Sequence, residues 1–334
     1  MMRTVKLGSQ GLVVSAEGLG CMGMSITYGP SNEEENLATL HRAVELGITL
    51  FDTAEVYGPQ LNEQLLGKAF AGGKRDHLIL STKIGFGIED GKLNLENSSP
   101  VLDSSPEHLK KAIEGSLGRL ATTHLDLVYL HRIDLNVPIE DSIGALSDLV
   151  KAGKIRYIGV SEASPETIRR AHAVHPLTAV QTEYSLFERG VETNEVLKTV
   201  RELGIGFVAY SPLGRGFLTG TMQNTDKLDP TDFRKLDPRL QGDNLEANLK
   251  LVAAIEKIAE AKNVKPSQLA IAWTMSQGAI PIPGTRRMKY LEENVAAADI
   301  TLTDEELKAL DEAAPVGAAS GDRYPACMMS ELTR

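Results

Sequence analysis

The sequence has 334 residues, of which 42% are hydrophobic and 24% charged, enough for a packed core without staples and too apolar for a disordered or fibrous chain. Acidic side chains outnumber basic ones 45 to 35, giving a net charge of -10, a field that repels nucleic-acid phosphate and anionic lipid. Two cysteines, Cys21 and Cys327, make no disulfide framework or metal motif, and there is neither a signal-peptide core nor an apolar run near the ~18 residues of a membrane span, so a cytoplasmic protein without metal, membrane or nucleic-acid partners is expected.

In chain order, TVKLGSQGLVVSAEG predicts a hairpin turning at Ser9-Gln10-Gly11. Short apolar β-rich runs then alternate with stretches of helical spacing. The runs are LGCM near residue 20, then 48–54, 77–83, 125–132, 155–162, 178–184, 205–212 and 278–284. Helix starts are marked in SNEEENLATLHRAVELG, with acids in its first turn and Gly47 past its end, and in SPEHLKKAIEGSLGRL, which opens Ser-Pro-Glu. Residues 213–245 carry many Gly, Asp and Pro with weak periodicity, which predicts a long loop acting as a lid.

Gly18, Gly20 and Gly23 spell GxGxxG, but no amphipathic helix starts at Gly23 and no second strand ends in an acid at the ribose distance, so a dinucleotide site of the open-sheet type is rejected. Eight apolar strands separated by helices predict a (β/α)8 TIM barrel of the α/β class, a single domain over 1–334, with the hairpin plugging its N-terminal end; an open doubly wound sheet is the rival. The polar residues favour the barrel. Asp52, Lys83, His131, Ser161, Gln181 and Tyr210 each end a different strand, and a barrel converges them on one mouth.

Tyr57 follows Asp52 by five residues on the same loop. Together with Lys83 and His131 this is a set suited to protonating a carbonyl oxygen as it becomes an alkoxide: a phenol as acid, an ammonium to lower its pKa, a carboxylate to aim the ammonium and an imidazole to hold the oxygen. The hydride such a reaction needs comes from a cofactor. Read singly, Asp52 is equally a cap, Tyr57 a loop filler and His131 a strand-end hydrogen-bonder; His124, His172 and His175 are expected at local surface contacts, and Cys21 as a buried structural thiol. Tyr28, Phe86 and Phe187 are candidates for an apolar pocket.

The ordered segments GLGCMGMS, FDTAEVYG, LSTK, YLHR, IGVSEAS, VQTEYS, AYSPLGRG and IPIPGTRRMKYLEENV resemble the aldo-keto reductases over essentially the whole chain, and HRID, RRAHAVHP and GDRYP are similar to the perakine-reductase-like branch of plant and microbial members. The resemblance implies a catalytic tetrad of Asp52, Tyr57, Lys83 and His131 and an NADPH/NADP+ site. Ser161 and Gln181 would face the nicotinamide carboxamide with Tyr210 stacked on the ring, Gly20, Met22 and Asp52 near the nicotinamide, and Ser211, Leu213, Gly214 and Gly216 along the pyrophosphate. Gly284, Thr285, Arg286, Tyr290, Glu293 and Asn294 would hold the adenosine end, the last two facing adenine; Glu162 stands where many members have Asn. Arg286, Arg287 and Lys289 open a helix, where cations oppose the dipole and so call for an anion, here the 2′-phosphate that separates NADP from NAD. The implied function is reduction of an aldehyde or ketone to an alcohol. Rival expectations are an NADPH-binding redox-sensing or ancillary subunit acting through a protein partner, and a Schiff-base enzyme using Lys83. Substrate identity and a homo-oligomeric state are left open by the sequence.

Overall fold

The computed structural model describes residues 2–96, 99–329 and 332, with the side chain of Cys327 outside that description. Strands β1 (Thr4–Leu7) and β2 (Leu12–Ser15) form the expected antiparallel hairpin. Eight parallel strands follow: β3 (Leu19–Gly20), β4 (Leu50–Asp52), β5 (Ile79–Ile84), β6 (Leu125–Leu130), β7 (Ile155–Ser161), β8 (Ala179–Glu183), β9 (Gly206–Tyr210) and β10 (Ile280–Pro281). Each neighbours the next in chain order. The ends meet where the amides of Gly18 and Gly20 donate to Pro281 and Pro283 at 3.0 and 3.3 Å and Gly20 bridges Gly284. This seam closes a (β/α)8 barrel, and it is what Gly18 and Gly20 of the GxGxxG are for: a Cβ on Gly20 would lie 2.7 Å from the carbonyl oxygen of Ile282.

Helices between the strands start where the sequence provides caps. In α1 (Glu33–Glu45) Asn32 accepts from the amide of Glu35, and in α3 (Pro106–Arg119), which follows α2 (Leu61–Ala69), Ser105 accepts from His108 ahead of Pro106. The other helices are α4 (Ile139–Lys151), α5 (Pro165–Val174), α6 (Val196–Glu202), α7 (Gly242–Lys262), α8 (Pro266–Ser276), α9 (Met288–Val295), α10 (Asp304–Ala313) and the single turn α11 (Ala326–Met329). Because the strands alternate inward and outward, the core is double. Outward residues such as Phe51, Leu80, Val128, Val160 and Val180 pack under the helices, while Leu50, Leu127, Tyr129, Ala179 and Val208 fill the barrel and rest on Leu7, Leu12 and Val14 of the hairpin.

The long segment after β9 departs from its expected form. It carries three short 3-10 turns, Gly214–Thr219, Phe233–Leu236 and Pro238–Leu240, the latter two capped by Asp232 and Asp237, and its expected last residues, 242–245, belong to α7. Aspartates read as loop formers are caps here, so the weak periodicity hid local order.

Candidate active site

Inward alternation carries straight up to the C-terminal rim. Leu50 and Asp52, Tyr129 and His131, Ala179 and Gln181, Val208 and Tyr210 share parity, so each of these apolar barrel-fillers predicts a polar residue two places on pointing into the mouth, and Ile79, Ser81 and Lys83 keep the same parity with a serine between. Lys83 is 1% exposed and pairs with Asp52; its ammonium also donates to the carbonyl of Thr53 at 3.0 Å and to the hydroxyl of Tyr57 at 3.2 Å. Asp52 accepts further from Ser81 at 2.9 Å and from the Gln181 amide at 2.8 Å. The Tyr57 and His131 rings stand edge to face with centroids 5.8 Å apart, and Phe86 packs on the other side of His131 at 5.0 Å. The four residues of the expected tetrad are therefore in one cluster.

The electrostatics follow from burial against charge. Burial would pull the Lys83 ammonium down, but Asp52 and Tyr57 hold it above its ordinary value, so it stays charged. Burial pushes the Tyr57 phenol above its ordinary value despite the opposing Lys83 charge, a correction to the expectation that the ammonium sets the net direction. Burial, with Arg132 and Lys83, drives His131 well below the usual imidazole range, leaving a neutral ring whose buried Nδ1 has no hydrogen-bond partner. Burial pushes the Cys21 thiol up, and its sulfur touches only the carbonyl of Leu19, so the expectation of an inert thiol stands.

The other expected cofactor positions lie around the same rim. Ser161 is buried beside Gln181 in the β7–β8 register. Gly20 and Met22 sit at the seam and in the turn after it. Ser211, Gly214 and Gly216 have positive φ values of 51°, 53° and 90°, and with Leu213 they make a tight irregular turn above β9. Gly284 and Thr285 lead from β10 into α9, whose start has no side-chain cap. Arg286 spans to the carbonyls of Tyr28 and Gly29 at 2.9 and 3.2 Å; Arg287 and Lys289 are exposed and enter no ion pair among the described residues. Tyr290 is exposed beside Lys289, Glu293 half-buried and Asn294 buried. Uncapped amides with two unpaired cations fit a phosphate monoester, so the residues present suit NADP.

Tyr210 is more engaged than a stacking platform. Its hydroxyl donates to Glu162 at 2.7 Å and receives Arg323 at 2.9 Å, with Tyr324 at 3.3 Å. Glu162, at φ 54°, and Glu183 are buried carboxylates bridged by Arg323, and Arg215 joins Glu183 to Asp237 and to the carbonyl of Arg323. Burial would raise both carboxyls, but Arg323 holds Glu162, and Arg215 with Arg323 hold Glu183, below the ordinary value. Not singled out from sequence were Glu183, Arg215, Arg323 and Tyr324; the signal was available in two acids ending adjacent strands, which burial obliges to find cations. Of the candidate pocket aromatics, Phe86 reaches the tetrad, whereas Phe187 packs on Phe217 and Arg239 and Tyr28 lies under Arg234.

Comparison with known proteins bears on the family and the fold. The model of the Aldo/keto reductase family matches residues 18–315. Aldo-keto reductase yakc [NADP(+)] of Schizosaccharomyces pombe (strain 972 / ATCC 24843) is 46% identical over 327 residues, covering 96% of this chain and 94% of its own. Among solved structures, glycerol dehydrogenase AKR11B4 from Gluconobacter oxydans aligns with a TM-score of 0.83 at 32% identity over 93% of this chain and 94% of its own. The holo form of aldo-keto reductase AKR11C1 from Bacillus halodurans aligns at 0.77 and 27% identity over 95% and 98%. A barrel closed at Gly20 and Gly284, a Lys83 shared by Asp52 and Tyr57, and a match over nearly all of the chain lead to one assignment: the chain belongs to the aldo/keto reductase family.

Proposed function

We propose that the protein is an NADP-dependent reductase that converts an aldehyde or ketone to an alcohol, with Tyr57 as proton donor. The observation that carries this is the Lys83 ammonium, charged, buried and within 3.2 Å of the Tyr57 hydroxyl while paired with Asp52. NADPH, when bound, supplies a hydride to the carbonyl carbon. The residues do the rest. Tyr57 keeps its proton at neutral pH because burial raises its pKa, so the donor is loaded before substrate arrives. As the carbonyl oxygen gains charge and takes that proton, the phenolate left behind faces an ammonium already in place, with no reorganisation to pay for. Neutral His131 is placed to donate a hydrogen bond to the same oxygen and so orient the carbonyl. Arg287 and Lys289 would meet the 2′-phosphate, and the Ser211–Gly216 turn the pyrophosphate.

HRID, RRAHAVHP and the GDRYP segment that contributes Arg323 support placing the chain in the perakine-reductase-like branch, and its two-cysteine composition supports work in the cytosol. The test is Tyr57→Phe. Turnover of NADPH with benzaldehyde should fall by about 10²–10⁴-fold while NADPH binding, followed by protein fluorescence, is retained; undiminished turnover would remove Tyr57 from the role of acid.

A further inference from the structure

Arginines around the barrel mouth are almost all spent on carboxylates. Arg215 pairs with Glu183 and Asp237, Arg234 with Asp232, Arg239 with Glu188, and Arg323 with Glu162 and Glu183. Arg132 is different. It follows His131 just beyond the end of β6, it is half-buried, and it enters no ion pair among the described residues. Its one hydrogen bond runs from Nη1 to the carbonyl of His131 at 2.9 Å, which uses one of five N–H donors.

The surroundings of this guanidinium are the reacting end of the site. The group is tied to the backbone of His131, and its charge acts on Tyr57 and His131 and is itself held up by Tyr210, Tyr324 and Glu162. Glu162 is already engaged elsewhere: that carboxylate accepts from Arg323 on both oxygens, from Tyr210 and from the amide of Glu183, and among the described residues it makes no ion pair with Arg132. A half-buried cation with no direct ion pair, answered by Glu162 only at longer range, keeps donors available for a further acceptor. Beside it, the buried Nδ1 of His131 is also without a partner. An unpaired guanidinium next to the group that would hold a carbonyl oxygen is a receptor for an anion carried by the substrate itself.

We infer that Arg132 determines substrate class by binding an anionic substituent, so that the preferred substrates are short carbonyl compounds bearing a carboxylate or phosphate a few bonds from the carbonyl. This rests on the reductase reading of the site. The carbonyl oxygen lies at Tyr57 and His131 and the anion at Arg132, whose guanidinium is held against the backbone of His131, which favours a compact oxo acid.

The experiment compares 4-oxobutanoate with butanal and glyceraldehyde 3-phosphate with glyceraldehyde, in the wild type, Arg132→Gln and Arg132→Lys. The wild type should favour the charged member of at least one pair by about tenfold or more in kcat/KM, the pair showing which anion is read. Arg132→Gln should abolish the preference, raising KM for the charged member of the pair about tenfold or more beyond any change seen with its neutral partner, and Arg132→Lys should keep part of it. Equal losses on charged and neutral substrates, or a wild type with no preference in either pair, overturn the proposal. A readout that needs no turnover accompanies these: calorimetric binding of butanoate and of inorganic phosphate to the NADP+-saturated protein. Binding of one of them, weakened about tenfold or more in Arg132→Gln, supports the inference even if no aldehyde is reduced, an outcome that would by itself refute only the reductase reading. Absence of binding by both overturns it, also where Arg132→Gln fails to fold.

Discussion

Lys83 concentrates the physical problem of this site in one side chain. It is among the largest fully buried side chains in the protein, and its ammonium is compensated by Asp52, the Thr53 carbonyl and the Tyr57 hydroxyl. Removing one member of such a pair leaves a buried charge uncompensated, which typically costs about 3–5 kcal/mol, whereas removing both is far cheaper. Asp52→Asn and Lys83→Met should each lower the urea midpoint strongly, and the double variant should recover a large part of that loss; additive losses would show that the two side chains act independently. Asp52, Lys83 and His131 were legible in the sequence because each ends an apolar strand, and Asp52 and His131 stand two places after the inward Leu50 and Tyr129, which fixes their direction. Arg132 had no such signature, since alternation stops with β6 and nothing in the sequence says which cations find partners.

At the scale of elements, strand and helix positions were readable because periodicity and caps are local, as at Asn32 and Ser105. The barrel seam was readable only in part: the glycines were visible, but their purpose, close approach of β3 to the residues after β10, depends on the closure itself. The start of α9 is the element on which cofactor choice turns. Arg287 and Lys289 stand free there while Arg286 ties the segment to the Tyr28–Gly29 carbonyls. Arg287→Ala with Lys289→Ala should weaken NADPH binding by about 10–100-fold and leave NADH binding nearly unchanged, measured as dissociation constants by fluorescence titration. Loss of affinity for both cofactors alike would place the discrimination elsewhere. Arg286→Ala should instead disturb the loop it holds and affect both.

For the whole molecule, the buried titratable groups set how acid acts on stability. His131 has a folded-state pKa well below 6.5, so the unfolded chain takes up a proton that the folded one refuses, and stability falls as pH drops through about 6.5. Glu162 and Glu183 are held below their ordinary 4.5, so their contribution is present above that value and is lost as pH falls below it through the folded-state pKa values. Glu55, pushed up to about 7 by burial, acts the other way and adds stability as pH falls through that value, so calorimetry from pH 8 to 3.5 should show the melting temperature changing in two stages, an upper one in which the His131 loss is partly offset and a lower one of decline. His131→Gln should flatten the upper stage, though not abolish it, since burial also lowers His124, His172 and His175; an unaltered slope would mean that His131 is not held neutral. The pairing behind the lower stage is the part of the site least visible in sequence, because each of its members is ordinary until the fold brings them together.

That pairing also imposes an order of assembly. Arg323 lies 161 residues after Glu162 and 140 after Glu183, so during synthesis both acids leave the ribosome long before the cation that bridges them, and among the described residues Glu183 alone of the two gains an earlier ion-pair partner, Arg215. An emerging barrel must hold Glu162 before it can be buried without cost, which keeps the rim hydrated and loose while the strands below can already pack. The mouth is thus the last region to set, and nascent chains arrested before residue 323 should resemble the finished protein at the hairpin end while remaining open to proteases at the other.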